Sequence, residues 1–161
     1  WCNRAFASFS SIMNPTLLRY GMNFWGPFRG AGIKVEQISQ NYRHVRVRLK
    51  LGLLNRNSSG VHFGGSLFAM TDPFYMIMFS QNLGKGYVVW DYAAKIEFVK
   101  PGRGTVVADF EITQAQVDEF IAAAASGEKV LRDFVVEVKD AAGDVVTRIT
   151  KTIYVRKKRA N

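Results

Sequence analysis

From His44 to Leu51 the chain alternates without a break. Val45, Val47, Leu49 and Leu51 take one side of an extended strand, and His44, Arg46, Arg48 and Lys50 take the other. Such a strand is half-buried with a basic outer row. Gly32 to Ile38 alternates more loosely and can pair with it as a hairpin across Gln40–Asn41. Alternation returns between Tyr87 and Val99. There Trp90, Tyr92, Ala94, Ile96 and Phe98 share one parity and are expected in the core. Pro101-Gly102-Arg103-Gly104 reads as a turn before a strand from Thr105 to Ile112. Two long strands finish the pattern, Lys129 to Asp140 and Asp144 to Lys157, joined by a hairpin turn at Ala141-Ala142-Gly143.

Helical signals separate these strands. Asn14 and Pro15 suit the cap and first residue of a helix running to Trp25, with Leu17, Leu18, Met22 and Trp25 on one side and Gly26-Pro27 closing it. Thr113 followed by Gln116 has capping-box spacing, and Val117, Phe120, Ile121 and Ala124 form the stripe of a helix ended by Gly127. The central stretch differs. Phe74, Tyr75, Met76, Ile77, Met78 and Phe79 leave no polar face, so their helix must be wrapped in protein. About six strands are available to do so as one curled antiparallel sheet. A curled sheet has two edges, and pairing an edge with a second copy points to a homodimer or a dimer of dimers. An open α+β sandwich is the rival arrangement.

Composition changes this picture in few places. The 161 residues suit one domain, residues 1–161, with a helical segment over 1–30 and a basic tail over 156–161. Cys2 is the only cysteine, so neither an internal disulfide nor a cysteine metal site can form. His44 and His62 lack partners at metal-ligand spacing, so no metal is expected. The longest apolar run, Pro73 to Phe79, falls well short of the roughly twenty residues of a membrane span. The chain begins at Trp1 rather than methionine, which leaves room for an upstream segment. With that reservation, a cytoplasmic protein is expected. Dinucleotide, P-loop and nucleophile-elbow motifs are absent. The net charge of +9 favours a polyanionic partner or simply solubility. Nucleic acid is the less favoured partner, because no zinc spacing, RNA-binding aromatic signature or recognition-helix pattern accompanies the charge.

One carboxylate interrupts the central stretch. Asp72 either caps a helix beginning at Pro73 or sits at a kink in a helix that begins near Gly65. Gly64-Gly65 lets another group approach the backbone closely, and helix N–H groups there would favour an oxyanion. Seven residues of helix put Asp72 about 10 Å from that turn, too far to share one atom within a chain. In a symmetric dimer, Asp72 of one copy could face the glycines of the other. Met70, Met76, Met78 and Phe79 suit either an acyl tunnel or ordinary core packing.

The run from Asn57 through Val61-His62-Phe63-Gly64-Gly65-Ser66-Leu67-Phe68-Ala69-Met70-Thr71-Asp72 resembles the signature of hot-dog fold thioesterases, especially the phenylacetate-degradation type. It is closest to a poorly characterised branch with a His-Phe-Gly-Gly form. The resemblance covers about residues 30 to 156. It implies a hot-dog α+β fold and hydrolysis of acyl-coenzyme A, with coenzyme A entering as part of the substrate and no separate cofactor. By this resemblance Asp72 activates water or attacks directly. The backbone at Gly64-Gly65, chiefly the Gly65 N–H, polarises the thioester carbonyl. Asn57 orients the thioester or water, and His62 lies at the mouth of the helix. Ser66 and Thr71 are nearby hydroxyls without an assigned role. Arg43, Arg46, Arg48, Arg56, Arg156 and Lys157 are candidates to meet coenzyme A phosphates. Two departures bear on turnover: the inserted Phe63, and Pro73 directly after the acid. Acyl-coenzyme A binding without hydrolysis is therefore the alternative. Enoyl-thioester hydration would require His62 and Asp72 to face the substrate together.

Overall fold

The computed structural model describes residues 13–159. Cys2 therefore lies outside the described residues, as does the start of the 1–30 segment. Helix α1 spans Pro15–Phe24 and is capped by the Asn14 side chain, as expected, and a short α2 follows over Gly26–Ala31. Strands β1 (Ile33–Ile38) and β2 (His44–Lys50) form the hairpin. Next come α3 (Gly64–Ala69), α4 (Phe74–Leu83), β3 (Tyr87–Phe98) and β4 (Thr105–Glu111). Helix α5 (Gln114–Ala123) carries the complete capping box, and β5 (Val130–Asp140) and β6 (Val145–Lys157) close the chain.

The six strands form one antiparallel sheet in the order β1-β2-β4-β5-β6-β3. Residues of α4 bury almost completely against it. Phe74, Met78 and Phe79 pack with Met70, Phe110, Val138, Ile149 and Ile153 in one core. Rings connect the layers: Phe74 meets Phe110, and Phe79 meets Phe120 and Phe134. Met70, Met78 and Phe79 are thus packed core residues rather than the walls of an open tunnel. The curled sheet around a central helix is the α+β arrangement expected.

The sheet's two edges are treated differently. Along β1, Asn23 of α1 both donates to the Val35 carbonyl (3.0 Å) and accepts from its N–H (2.8 Å), while Arg19 donates to the Glu36 carbonyl. These side chains take the place of a neighbouring strand. Along β3, the described residues other than Trp90 make no side-chain hydrogen bond to the strand's backbone.

Strand β3 also corrects the expected core. Its register against β6 skips a residue between Asp91 and Ala93. Val89 and Asp91 lie opposite Val155 and Ile153, whereas beyond the skip Ala94, Ile96 and Phe98 lie opposite Lys151, Ile149 and Thr147. One extra residue reverses which parity faces inward. Trp90 and Phe98 therefore lie on opposite faces. Tyr92, the residue skipped in the register, and Phe98 are both exposed. Leu17, Trp25 and Ile121 are likewise exposed rather than part of their helices' buried stripes.

Candidate active site

The central helix is broken, and the break creates the site. Helix α3 starts at Gly64 and stops at Ala69; Thr71, fully buried, donates to the Phe68 carbonyl, and the N–H of Asp72 bonds to Ala69. Helix α4 begins only at Phe74, after a cis Asp72–Pro73 peptide. Asp72 thus caps neither helix and stands at the gap between them. The expectation of a helix starting near Gly65 is right, but the chain breaks where a kink was expected.

Asp72 has a partner that the sequence reading missed. Lys151 of β6 lies on the inner face between Ile149 and Ile153, and its side chain is 2% exposed. Its Nζ donates to Asp72 Oδ1 at 2.6 Å and lies 3.3 Å from Asp91 Oδ1. The Phe68 ring centroid is 5.8 Å from the same nitrogen. Asp72 is 48% exposed and Asp91 23% exposed. Burial pushes the Asp91 carboxyl above its ordinary value, with Asp72 adding to the rise and Lys151 opposing it. Asp72 Oδ2 takes part in no hydrogen bond or ion pair among the described residues.

The other expected residues gather elsewhere. Asn57, His62, Gly64, Leu67, Phe98 and Gly102 line a cleft of about 420 Å³ at the far end of α3. His62 is buried and its Nε2 lies 3.1 Å from the Gly104 carbonyl, so the neutral ring donates there. Burial holds its pKa below the usual histidine value, against the pull of that carbonyl, and Nδ1 is buried with no hydrogen-bond partner among the described residues. Asn57 Oδ1 accepts from the N–H groups of Ser59 and Val61, which shapes the loop. The glycines admit aromatic rings: a Cβ on Gly64 would meet Phe98 at 3.0 Å, and one on Gly65 would meet Phe63 at 2.3 Å. The N–H groups of Gly64 and Gly65 have no partner among the described residues. Phe98 opposite Thr147 marks the glycine end of β6, and Ala94 opposite Lys151 marks the Asp72 end. Four residue steps along the strand separate the two clusters by about 13 Å.

The basic residues do not converge. Arg46 pairs with Asp109 and Glu36, and Arg48 with Glu36, on the outer face of the sheet. Arg43 bonds Asn82 and Gln114. Arg156 and Lys157 lie opposite Val88 and Tyr87, at the end of β3 remote from Phe98. Only Arg56 lies beside the cleft, in a backbone bridge with His62. Arg103, between two residues whose carbonyls bond His62, also belongs to that neighbourhood and was not anticipated.

Residues 15–155 match the model of a family described as a domain of unknown function, DUF4442. The chain belongs to that family. No curated protein matches it. Among solved structures it resembles a probable thioesterase of unknown function from Pseudomonas aeruginosa, at 16% identity and a TM-score of 0.81, covering 91% of this chain and 97% of the other. It also resembles a Haemophilus influenzae thioesterase, at 12% identity and a TM-score of 0.65, covering 92% and 94%. A Chlorobaculum tepidum protein of unknown function gives 13% identity and a TM-score of 0.70, covering 94% and 99%. At these identities the likeness concerns the fold, and it is the hot-dog fold of thioesterases.

Proposed function

We propose that this DUF4442 protein hydrolyses acyl-coenzyme A thioesters, with Asp72 as general base or nucleophile. The observation that carries this reading is the Asp72 carboxylate itself. It is half-exposed at the break in the central helix, with Oδ1 bound to a buried ammonium and Oδ2 without a hydrogen bond or ion pair among the described residues. In the general-base form, Oδ2 takes a proton from water as the water oxygen attacks the thioester carbon. The oxyanion is held by the Gly65 N–H, and the carbon–sulfur bond then breaks to release the thiolate.

Within one chain the glycine turn lies about 13 Å from the carboxylate, so the site is composite. Pairing the β3 edges of two copies would bring Asp72 of one against Gly64-Gly65 of the other. The open edge of β3, beside a β1 edge sealed by α1, supports a homodimer of this kind. Arg56 is the member of the original basic set best placed for a phosphate, with Arg103 beside it. The phenylacetate-degradation type is the proposed relationship within the superfamily. His62 has no place in the chemistry on this reading. Its ring donates to Gly104, which removes the Asp–His pair that enoyl hydration needs.

One observation favours acyl-coenzyme A binding without turnover. The Phe63 ring lies over Gly65, where the oxyanion must be held. Free-thiol release from short, long and aromatic acyl-coenzyme A thioesters separates the two readings. Turnover on any member of the panel supports hydrolysis. Tight binding of coenzyme A thioesters with no thiol release supports a binding protein.

A further inference from the structure

Among the described residues Lys151 is the most completely buried charged side chain, and two carboxylates lie against it, one from the helix break and one from β3. Ile149, Ile153 and Val155 occupy the neighbouring inward positions of β6, where an apolar residue would pack at no desolvation cost. Three local features of the backbone converge on this ammonium. The helix break presents Asp72, the irregularity in β3 turns Asp91 inward, and Phe68 of α3 lies above it. Bulges of this kind re-aim side chains next to active sites. We infer that Lys151 is a positioning residue for Asp72, and that Asp91 secures Lys151. This inference rests on the hydrolase reading above.

The geometry assigns the two oxygens of Asp72 different tasks. Oδ1 is bound at 2.6 Å, and that bond fixes the plane in which Oδ2 presents itself to water or to the thioester. Asp91 lies 3.3 Å from Nζ at ion-pair distance and does not bond Asp72. Without Asp91 the ammonium has one anchor. Without Lys151 the Asp72 carboxylate turns freely, and the repulsion between Asp72 and Asp91 loses the cation that opposes it. A misplacement of about 1 Å at a reacting group lowers rate by roughly 100-fold. The loss belongs in kcat, because substrate binding does not use Lys151.

The test is kcat and KM for thioester hydrolysis by native protein, Lys151→Met, Asp91→Asn and Asp72→Asn, with a thermal melt of each. Lys151→Met is expected to lose about 100-fold in kcat, with KM within about threefold. Asp91→Asn is expected to lose about 10-fold in kcat with the same KM pattern. A folded Lys151→Met that keeps native kcat overturns the inference, as does a loss confined to KM. Should Lys151→Met fail to fold, Asp91→Asn decides: native kcat in folded protein overturns it. Asp72→Asn separates the two levels. Native turnover in Asp72→Asn, or none in native protein, overturns the hydrolase reading and this inference with it. An inactive Asp72→Asn beside a fully active Lys151→Met overturns the inference alone.

Discussion

His62 shows how a motif residue can hold a fold together. The His-Phe-Gly-Gly run is readable in the sequence, but the direction of the ring is not. Tight packing of His62 against Gly102 and its bond to Gly104 tie the loop before α3 to the turn before β4. Its pKa is lowered in the folded state, so below about pH 6.5 the unfolded chain binds more protons than the folded one. Stability from this group is therefore present above that pH and lost as pH falls. The melting temperature is expected to drop between about pH 7.5 and about pH 5.5, and to drop less in His62→Gln. Equal acid sensitivity in both proteins would contradict this. Asp72 was legible as the chemically suspect residue because an acid followed by proline interrupts an apolar run. Lys151 left a weaker trace. It is a lysine on the apolar parity of a long alternating strand, between Ile149 and Ile153.

At the scale of elements, alternation located all six strands, because each has one buried face. It could not order them: β3 and β4 follow one another in sequence yet lie three places apart in the sheet, since pairing is decided by the whole core. The skipped residue near Tyr92 is also silent in the pattern, and it sent the β3 aromatics to faces other than those expected. A second irregularity lies between β4 and β5, which pair only from Val106 to Ala108. Beyond that point Tyr75 of α4 donates its hydroxyl to the Val135 carbonyl at 3.0 Å, where a strand N–H would otherwise sit. Burial, with Glu111 assisting, pushes the Tyr75 hydroxyl up to about 12, so it stays a donor. Tyr75→Phe should lower stability by about 1–3 kcal/mol, because the carbonyl loses its partner. A chemical melt of both proteins checks this, and an unchanged midpoint would contradict it.

For the whole molecule, the +9 charge gave less information than the patterning did. Arg46 and Arg48, two of the expected phosphate ligands, are answered locally by Glu36 and Asp109 on the outer face. Among the described residues β3 has no strand on its outer side, and Tyr92 there is 61% exposed. If β3 pairs with a second copy, Tyr92→Glu should shift the native dimer toward monomer in light scattering and lower turnover in parallel, since the site is composite. A monomeric native protein with full activity would rule out the composite site. Among the described residues no helix is long and apolar enough to cross a membrane.

The central claim is that the Asp72 carboxylate carries thioester hydrolysis, and comparing free-thiol release by native protein and Asp72→Asn tests it most directly. A fall of at least ~100-fold is expected in the variant, measured at a temperature where both proteins remain folded and in the same oligomeric state. Equal turnover by the two proteins would contradict it and leave Asp72 as a counter-ion for Lys151.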